Sequence, residues 1–291
     1  MINIKCTALF RELPERHYTN RIAKLLLILV SLSACPAHAE IYEWRDEQGQ
    51  VHFSDKKTER ARPVEISPGI AFYHVTKVFD GDTILLVDGR KVRLLGINTP
   101  EIAHRNQEAE AGGIAAKNWL TAQLLNKRIR LVMDVESHDA YDRVLAHVFT
   151  DDHRHINAEL VEQGFAAVVI HPPNLEFLDT LLAAQEKAEK SRLGIWRLPE
   201  YEVKAADALN RANYRGWQRL QGQIESIRWS KKYVYVNLTP QVDLRIERKQ
   251  LGLFSDLAGL RGKTIEARGW INRRKDHYSM LVRHPSSIRM E

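Results

Sequence analysis

Asp80-Gly81-Asp82-Thr83 places two carboxylates on one turn that leads into an apolar, β-branched stretch. Arg93 closes the next such stretch, and Asn98-Thr99-Pro100-Glu101 follows on the loop beyond it. Asp139, Tyr141 and Arg143 precede a later apolar run. Two hard oxygen donors on a turn suit Ca²⁺ or Mg²⁺ rather than zinc. Two forked guanidinium groups can grip a phosphate in a bidentate way, and one further glutamate could take a proton from water. These are the parts required for phosphodiester hydrolysis. Separately, each piece has a plainer account. A D-G-D-T segment is most often only a turn, Arg93 could be a solvated strand residue, and Asp139–Arg143 could be a weak surface ion pair. Thr99-Pro100-Glu101 could open a helix. Their order and spacing carry the argument.

The elements that must position these residues are read from pattern. Tyr73–Val78, Thr83–Val87, Lys91–Leu95, Ile129–Val135 and Val144–Phe149 read as strands between turn signals. Asp88-Gly89 supplies a tight hairpin between the second and third. Three helices are predicted. The first presents Ala111, Ala115, Trp119 and Ala122 on one face. The second starts at Asn157 as N-cap and stops at Gly164, and the third runs from Asn174 to Gly194 with Leu178, Leu181, Leu182 and Ala188 buried. Residues 198–291 return to strands: Leu220–Ile227, Tyr233–Leu238, Val242–Ile246, Thr264–Ile271 and Ser279–Arg283.

The chain has 291 residues, 44% hydrophobic and 27% charged, a balance that excludes wholesale disorder and suits about two domains. Its two cysteines, Cys6 and Cys35, exclude a disulfide scaffold and a multi-cysteine zinc site. The net charge of +6 is unevenly spread: residues 198–291 carry 18 basic and 10 acidic side chains, residues 40–197 carry 20 and 25. His138, His147, His153, His155 and His171 lie close in sequence, but their spacing lacks the logic of a zinc site, and solvated surface is expected for them.

The motifs V-F-D-G-D-T, R-L-L-G-I-N-T-P-E, D-A-Y-D-R-V-L-A, L-V-E-Q-G-F-A and S-R-L-G-I-W, in that order from about Tyr73 to Trp196, resemble the thermonuclease family of staphylococcal-nuclease-like enzymes. The resemblance implies a mainly β (α+β) fold, an OB-type β-barrel with three helices. It implies Asp82 as a direct Ca²⁺ ligand, Thr99 as a carbonyl ligand and Asp80 as holder of a metal-bound water. Glu101 would be the general base, and Arg93 and Arg143 would hold the scissile phosphate, with Arg143 near the leaving oxygen. The products would be a 5′-hydroxyl and a 3′-phosphate, from DNA or RNA. Two departures stand out. Asn98 occupies the place of a second ligating carboxylate, so metal affinity should fall by loss of one charge. Val169 stands where a base-stacking tyrosine is common, whereas Tyr141 is retained.

The flanks are read separately. Residues 1–39 carry Arg16, Arg21 and Lys24, then the apolar Leu25–Leu32, then Pro36-Ala37-His38-Ala39, the order of a secretory signal peptide cleaved before Glu40. Leu32-Ser33-Ala34-Cys35 also resembles a bacterial lipobox, so a secreted or periplasmic protein and a lipoprotein anchored at Cys35 both stay open. Residues 40–62, with I-Y-E-W-R-D and V-H-F-S-D around a glycine turn, read as a β-hairpin and resemble a small envelope-protein module of unknown function; 63–70 read as a linker. Residues 71–197 are the thermonuclease-like domain. Residues 198–291 resemble a second, small OB-like β-barrel, in which Lys231, Lys232, Arg273 and Arg274 among aromatics are the ingredients of single-strand binding. The expectation is therefore an exported, monomeric, Ca²⁺-dependent nuclease acting on single-stranded DNA or RNA. The alternative is a catalytically weak or inactive nucleic-acid-binding envelope protein.

Overall fold

The structure is a computed structural model that describes residues 41–46, 50–57, 61–64, 71–103 and 108–291. The expected signal peptide, the lipobox with Cys35 and the linker core at 65–70 lie outside the described residues. The chain divides into a unit ending at Gly69 and a unit beginning at Ile70.

In the first unit, β1 (Ile41–Arg45) pairs antiparallel with β2 (Val51–Ser54), as the alternating aromatics predict. The His52 ring stacks on Trp44 at 4.4 Å, and Asp46 accepts from both His52 Nε2 (2.8 Å) and Gln50 N (2.9 Å). These contacts give the W-x-D and V-H positions their local purpose, closing the turn. β3 (Arg62–Val64) adds to the free edge of β1, so the stretch read as linker begins with a strand. Pro63 is tolerated there because an edge strand needs only one row of ladder hydrogen bonds.

The second unit begins with β4 (Phe72–Val78), β5 (Thr83–Leu86), β6 (Lys91–Leu94), a two-residue β7 (Ile97–Asn98), β8 (Arg128–Val132) and β9 (Val144–Thr150). Strands β4-β5-β6-β9-β8 close into a five-stranded barrel, β6 running parallel to β9. Three helices accompany it: α1 (Gly113–Leu124), α2 (Ile156–Glu162) and α3 (Leu178–Lys190). Ile84, Leu94, Leu120, Ile129, Leu160 and Leu181 meet in its core. This is the mainly β, OB-type barrel with three helices that the sequence implies.

The helix details differ from the pattern reading. α1 buries Gly113, Ala116, Leu120 and Leu124, while Ala115 and Ala122 are exposed. Apolar residues lie all around this helix, so periodicity cannot choose a face; tertiary contact does. Asn157 is not a cap but lies inside α2, fully buried, donating to Leu95 O and accepting from Val148 N, both at 2.9 Å. Asn174 precedes α3 by several residues and exchanges hydrogen bonds with the backbone of Glu136 instead.

After β10 (Ala167–Val168), which pairs with β7, the C-terminal strands are β11 (Val203–Ala205), β12 (Trp217–Gln223), β13 (Ser226–Trp229), β14 (Tyr233–Thr239), β15 (Val242–Glu247), β16 (Thr264–Arg274), β17 (His277–Val282) and β18 (Ile288–Met290). They form an eight-stranded sheet in the order β11-β12-β16-β17-β15-β14-β13, with β18 on β16, around a separate core that includes Leu220, Val236, Leu244 and Met280. The sheet is fixed to the barrel in two ways. Trp196 and Tyr201 pack on Trp217 with ring centroids 5.9 and 5.6 Å apart. Glu189 of α3 accepts from Arg268 (2.6 Å) and Arg289 (2.7 Å), and Arg268 and Arg219 both pair with Glu266.

Candidate active site

Backbone register brings the predicted residues together. Thr83 of β5 lies opposite Arg93 of β6, and Leu94 N donates to Asp82 O at 2.9 Å. The Asp80–Asp82 turn therefore sits beside the Arg93 side chain. Gly81 lets this turn approach α1: a Cβ there would lie 2.6 Å from Ala116 Cβ and 2.7 Å from Thr99 Cβ. Gly113 does the same on the other side, where a Cβ would lie 2.6 Å from the carbonyl oxygen of Glu101. Two glycines thus let α1, the aspartate turn and the Thr99–Glu101 segment share one place.

Asp82 is buried at 6% exposure. Its Oδ2 accepts from Thr99 N (2.9 Å) and Thr99 Oγ1 (3.1 Å) and pairs with Arg93 Nη2 at 3.0 Å; its Oδ1 accepts from Thr83 Oγ1. Asp80 accepts from Asp82 N at 3.0 Å. Burial, and next the charge of Asp82, raise the Asp80 carboxyl above its ordinary range. Asn98 Oδ1 accepts from Arg93 Nη2 at 3.1 Å, and Asn98 Nδ2 donates to Thr99 O at 2.9 Å.

Glu101 lies at the rim, exposed, and is pinned by reciprocal hydrogen bonds with Glu110: Glu101 N to Oε2 at 3.0 Å and Glu110 N to Glu101 O at 2.8 Å. Desolvation by its surroundings, followed by the charges of Asp82 and Asp80, raises its carboxyl above the ordinary value. That direction suits a group that must take up a proton.

Arg143 is held by Asp139, whose Oδ2 accepts from Arg143 Nε at 2.7 Å while Oδ1 accepts from the backbone N–H groups of Tyr141 and Arg143. Burial alone would raise the Asp139 carboxyl; these hydrogen bonds outweigh it and lower it. Asp139 thus fixes the Arg143 side chain and the loop that carries it. Tyr141, 82% exposed, stands beside Arg143 with its ring 5.6 Å from the guanidinium.

A cleft of 660 Å³ opens between the barrel and the C-terminal sheet. Arg93, Arg143 and His171 line it from the barrel, Lys249 and Arg283 from the sheet. Arg283 was not among the sequence candidates. His171 lines the cleft close to Arg283 and Arg93. Val169 lines the same cleft, with its N–H on Gly96 O. Of the C-terminal candidates, Arg273 and Arg274 line a separate concavity on the sheet, while Lys231 and Lys232 stand at the turn between β13 and β14.

The expectation of solvated histidines fails for two of them. His147 is buried and hydrogen-bonds His155 at 3.1 Å, among Phe149 and Phe177. Burial lowers both to about 4. Sequence separation hid this pairing, which depends on the turn after β9.

For a metal, no three carboxylate, imidazole or thiol side chains converge among the described residues. The carboxylates of Asp80 and Asp82 share one turn, Thr99 meets Asp82 through its N–H and hydroxyl while its carbonyl accepts from Asn98, and Arg93 is the cation paired with Asp82. Burial, and next the charge of Asp82, raise Asp80, so a hard cation fits beside this turn, with two acidic ligands rather than three.

The model of the family described as Staphylococcal nuclease homologue matches residues 91–198, and that of a domain of unknown function (DUF4124) matches residues 28–71. A thermonuclease of Staphylococcus intermedius is 39% identical over 127 residues, which is 43% of this chain and 75% of the relative. A thermonuclease of Staphylococcus hyicus is 32% identical over the same shares. The chain belongs to the staphylococcal nuclease homologue family. A probable endonuclease of Leptosphaeria maculans is 34% identical over 114 residues, 37% of this chain and 38% of that relative. Family membership carries the coarse activity expected from the sequence, a nuclease of the hydrolase class.

Proposed function

We propose that this family member is an exported, Ca²⁺-dependent nuclease that hydrolyses phosphodiester bonds of DNA, RNA or both, leaving a 5′-hydroxyl and a 3′-phosphate. The observation that carries the reading is the placement of Arg93 and Arg143 on one cleft, with Asp80, Asp82 and Glu101 adjoining Arg93. Glu101 takes a proton from the attacking water. The water oxygen bonds to phosphorus, the bond from phosphorus to the 5′ oxygen breaks, and that oxygen takes a proton from solvent water as it leaves, while Glu101 returns its proton to solvent. Arg93 and Arg143 hold the non-bridging oxygens and offset the negative charge that grows on them, the largest contribution in reactions of this kind. Asp139 keeps Arg143 aimed, and Arg93 exchanges Asp82 and Asn98 for the phosphate. Asp82, the Thr99 carbonyl and, through water, Asp80 would hold the cation, with Asn98 beside them. A bound Ca²⁺ would supply fixed positive charge next to the phosphate.

One observation favours a second reading, a weak or inactive nucleic-acid-binding envelope protein: Asn98 occupies the Thr99 carbonyl oxygen that a cation would need. Cleavage of single-stranded DNA and of RNA across a Ca²⁺ titration decides between them. Equal activity in excess chelator would reject the calcium requirement, and no cleavage at any Ca²⁺ concentration would favour the second reading. Export is supported by the order of charge, apolar run and small residues in positions 1–39, and no helix among the described residues is long and apolar enough to cross a membrane. Intact mass of the mature protein distinguishes cleavage before Glu40 from lipidation at Cys35.

A further inference from the structure

The C-terminal sheet carries a second concavity, of 360 Å³, lined by Arg228, Tyr235, Arg245, Arg273 and Arg274. Its position relative to the catalytic cleft follows from strand register. On β14, Val234, Val236 and Leu238 point into the core, so Tyr233, Tyr235 and Asn237 share the opposite face. Across that face Arg228 pairs with Tyr235, Tyr235 with Arg245, and Arg245 with Leu281. Two residues further along stand Tyr233 and its partner Glu247 on β14 and β15, and Arg283 just past the end of β17. Leu281, Glu247 and Arg283 line the catalytic cleft. The concavity and the cleft therefore adjoin on one sheet face, separated by about 7 Å of strand.

The chemistry of this face is specific. The Arg228 guanidinium lies 4.0 Å from the Tyr235 ring centroid, and that of Arg245 lies 5.7 Å from the Tyr233 ring, which is itself 6.1 Å from Tyr235. The Nε atom of Arg245 is buried with no hydrogen-bond partner. Buried donors without partners are costly and ask for an acceptor. Stacked aromatic and guanidinium planes next to an unpaired cationic donor match a chain that alternates flat bases with phosphates. Duplex DNA hides its base faces, so the occupant is a single strand.

We propose that this face is a single-strand track that feeds the cleft: bases stack at Tyr235 and Tyr233, phosphates meet Arg228 and Arg245, and the strand passes Arg283 and Lys249 to reach Arg93 and Arg143. The track rests on the nuclease reading for its direction, because the cleft is taken as the point of cleavage. Its occupancy is a separate matter and can be measured without cleavage. The hairpin lysines Lys231 and Lys232, expected from sequence to bind substrate, lie outside the concavity.

Deleting the C-terminal third is a poor test, since it would strip Trp217 from Trp196 and Arg268 from Glu189. Point variants of the full chain serve better: Arg228→Ala, Tyr235→Ala and Tyr235→Phe. Binding of a fluorescent thymidine 12-mer is followed by anisotropy in chelator, and cleavage is followed with the same 12-mer and with bis(p-nitrophenyl) phosphate. The expected result is about tenfold weaker 12-mer binding in each Ala variant, near wild-type binding in Tyr235→Phe, and a salt slope reduced by about one in Arg228→Ala. Turnover of the small diester should be unchanged. Unaltered 12-mer binding in both Ala variants would overturn the track, and so would an equal loss on the small diester. A protein that binds the 12-mer through these residues yet cleaves neither substrate would sink the nuclease reading while leaving the track in place.

Discussion

The side-chain amide of Asn98 donates to the carbonyl oxygen of Thr99 at 2.9 Å while its own oxygen accepts from Arg93 at 3.1 Å. A carboxylate in this place could keep the contact to Arg93 but could not donate to the carbonyl. Asn98→Asp should therefore free the Thr99 oxygen and add one negative charge to the oxygen cluster. The Ca²⁺ concentration for half-maximal cleavage should drop by about tenfold. Calorimetric titration of Ca²⁺ into both proteins checks this independently of activity, and equal affinities would contradict it.

Glu101→Gln keeps the shape of the side chain and its backbone hydrogen bonds to Glu110 but removes the acceptor for the water proton. Turnover should fall by roughly 10²–10⁴, while oligonucleotide binding in chelator stays within about twofold. A variant as fast as wild type would remove Glu101 from the mechanism.

Asp139 accepts from the backbone N–H and Nε of Arg143 and braces the loop through a third bond from Tyr141 N. Asp139→Ala should lower kcat by about tenfold or more, with a smaller effect on KM, because Arg143 acts most strongly in the transition state. Asp139→Asn, which can still accept from both backbone N–H groups, should recover part of the loss. Identical kinetics in all three proteins would show that Arg143 needs no such support.

Acid stability should fall in two stages. His147 and His155 sit at about 4 in the folded protein against 6.5 for a free imidazole, burial being the first cause and Asp134 opposing it for His147. Between those values the unfolded chain binds more protons, so stability is lost as pH falls from 6.5 towards 4. Glu266 is lowered to about 2 from 4.5: burial opposes this, but hydrogen bonds from Arg219 and Arg268 prevail. Its contribution is present above 4.5 and is lost as pH falls from there towards 2, on the order of 3 kcal/mol. Melting temperatures from pH 7 to pH 3 test the profile, and His147→Phe should flatten its upper stage. A flat melting temperature between pH 7 and pH 4 would contradict the histidine contribution.

Glu189 joins α3 to the C-terminal sheet. Glu189→Ala leaves Arg268 paired with Glu266 but strips its Nη donors of their acceptor, a change that should cost about 1–3 kcal/mol. Urea unfolding measures it, and a loss under about 1 kcal/mol would mean that the aromatic contact at Trp217 holds the sheet alone.

Local chemistry made much of this protein legible from its sequence alone. Alternating β-branched residues gave the barrel strands their positions, because a pleated strand repeats every two residues whatever it pairs with. The Asp80–Asp82 turn, Arg93 and Glu101 were identifiable because the residue types needed for phosphate chemistry lie on or beside those strands in a fixed order. The face of α1 was not legible, since its apolar residues surround it and the close approach at Gly81 and Gly113 selects the buried side. Nor were the His147–His155 pair, the brace made by Asn157, or the donation from Asn98 to Thr99, each of which depends on where a turn carries one side chain relative to another. Arg283 shows the limit best: it lies just past the end of β17, and only the packing of the C-terminal sheet against the barrel brings it to the cleft.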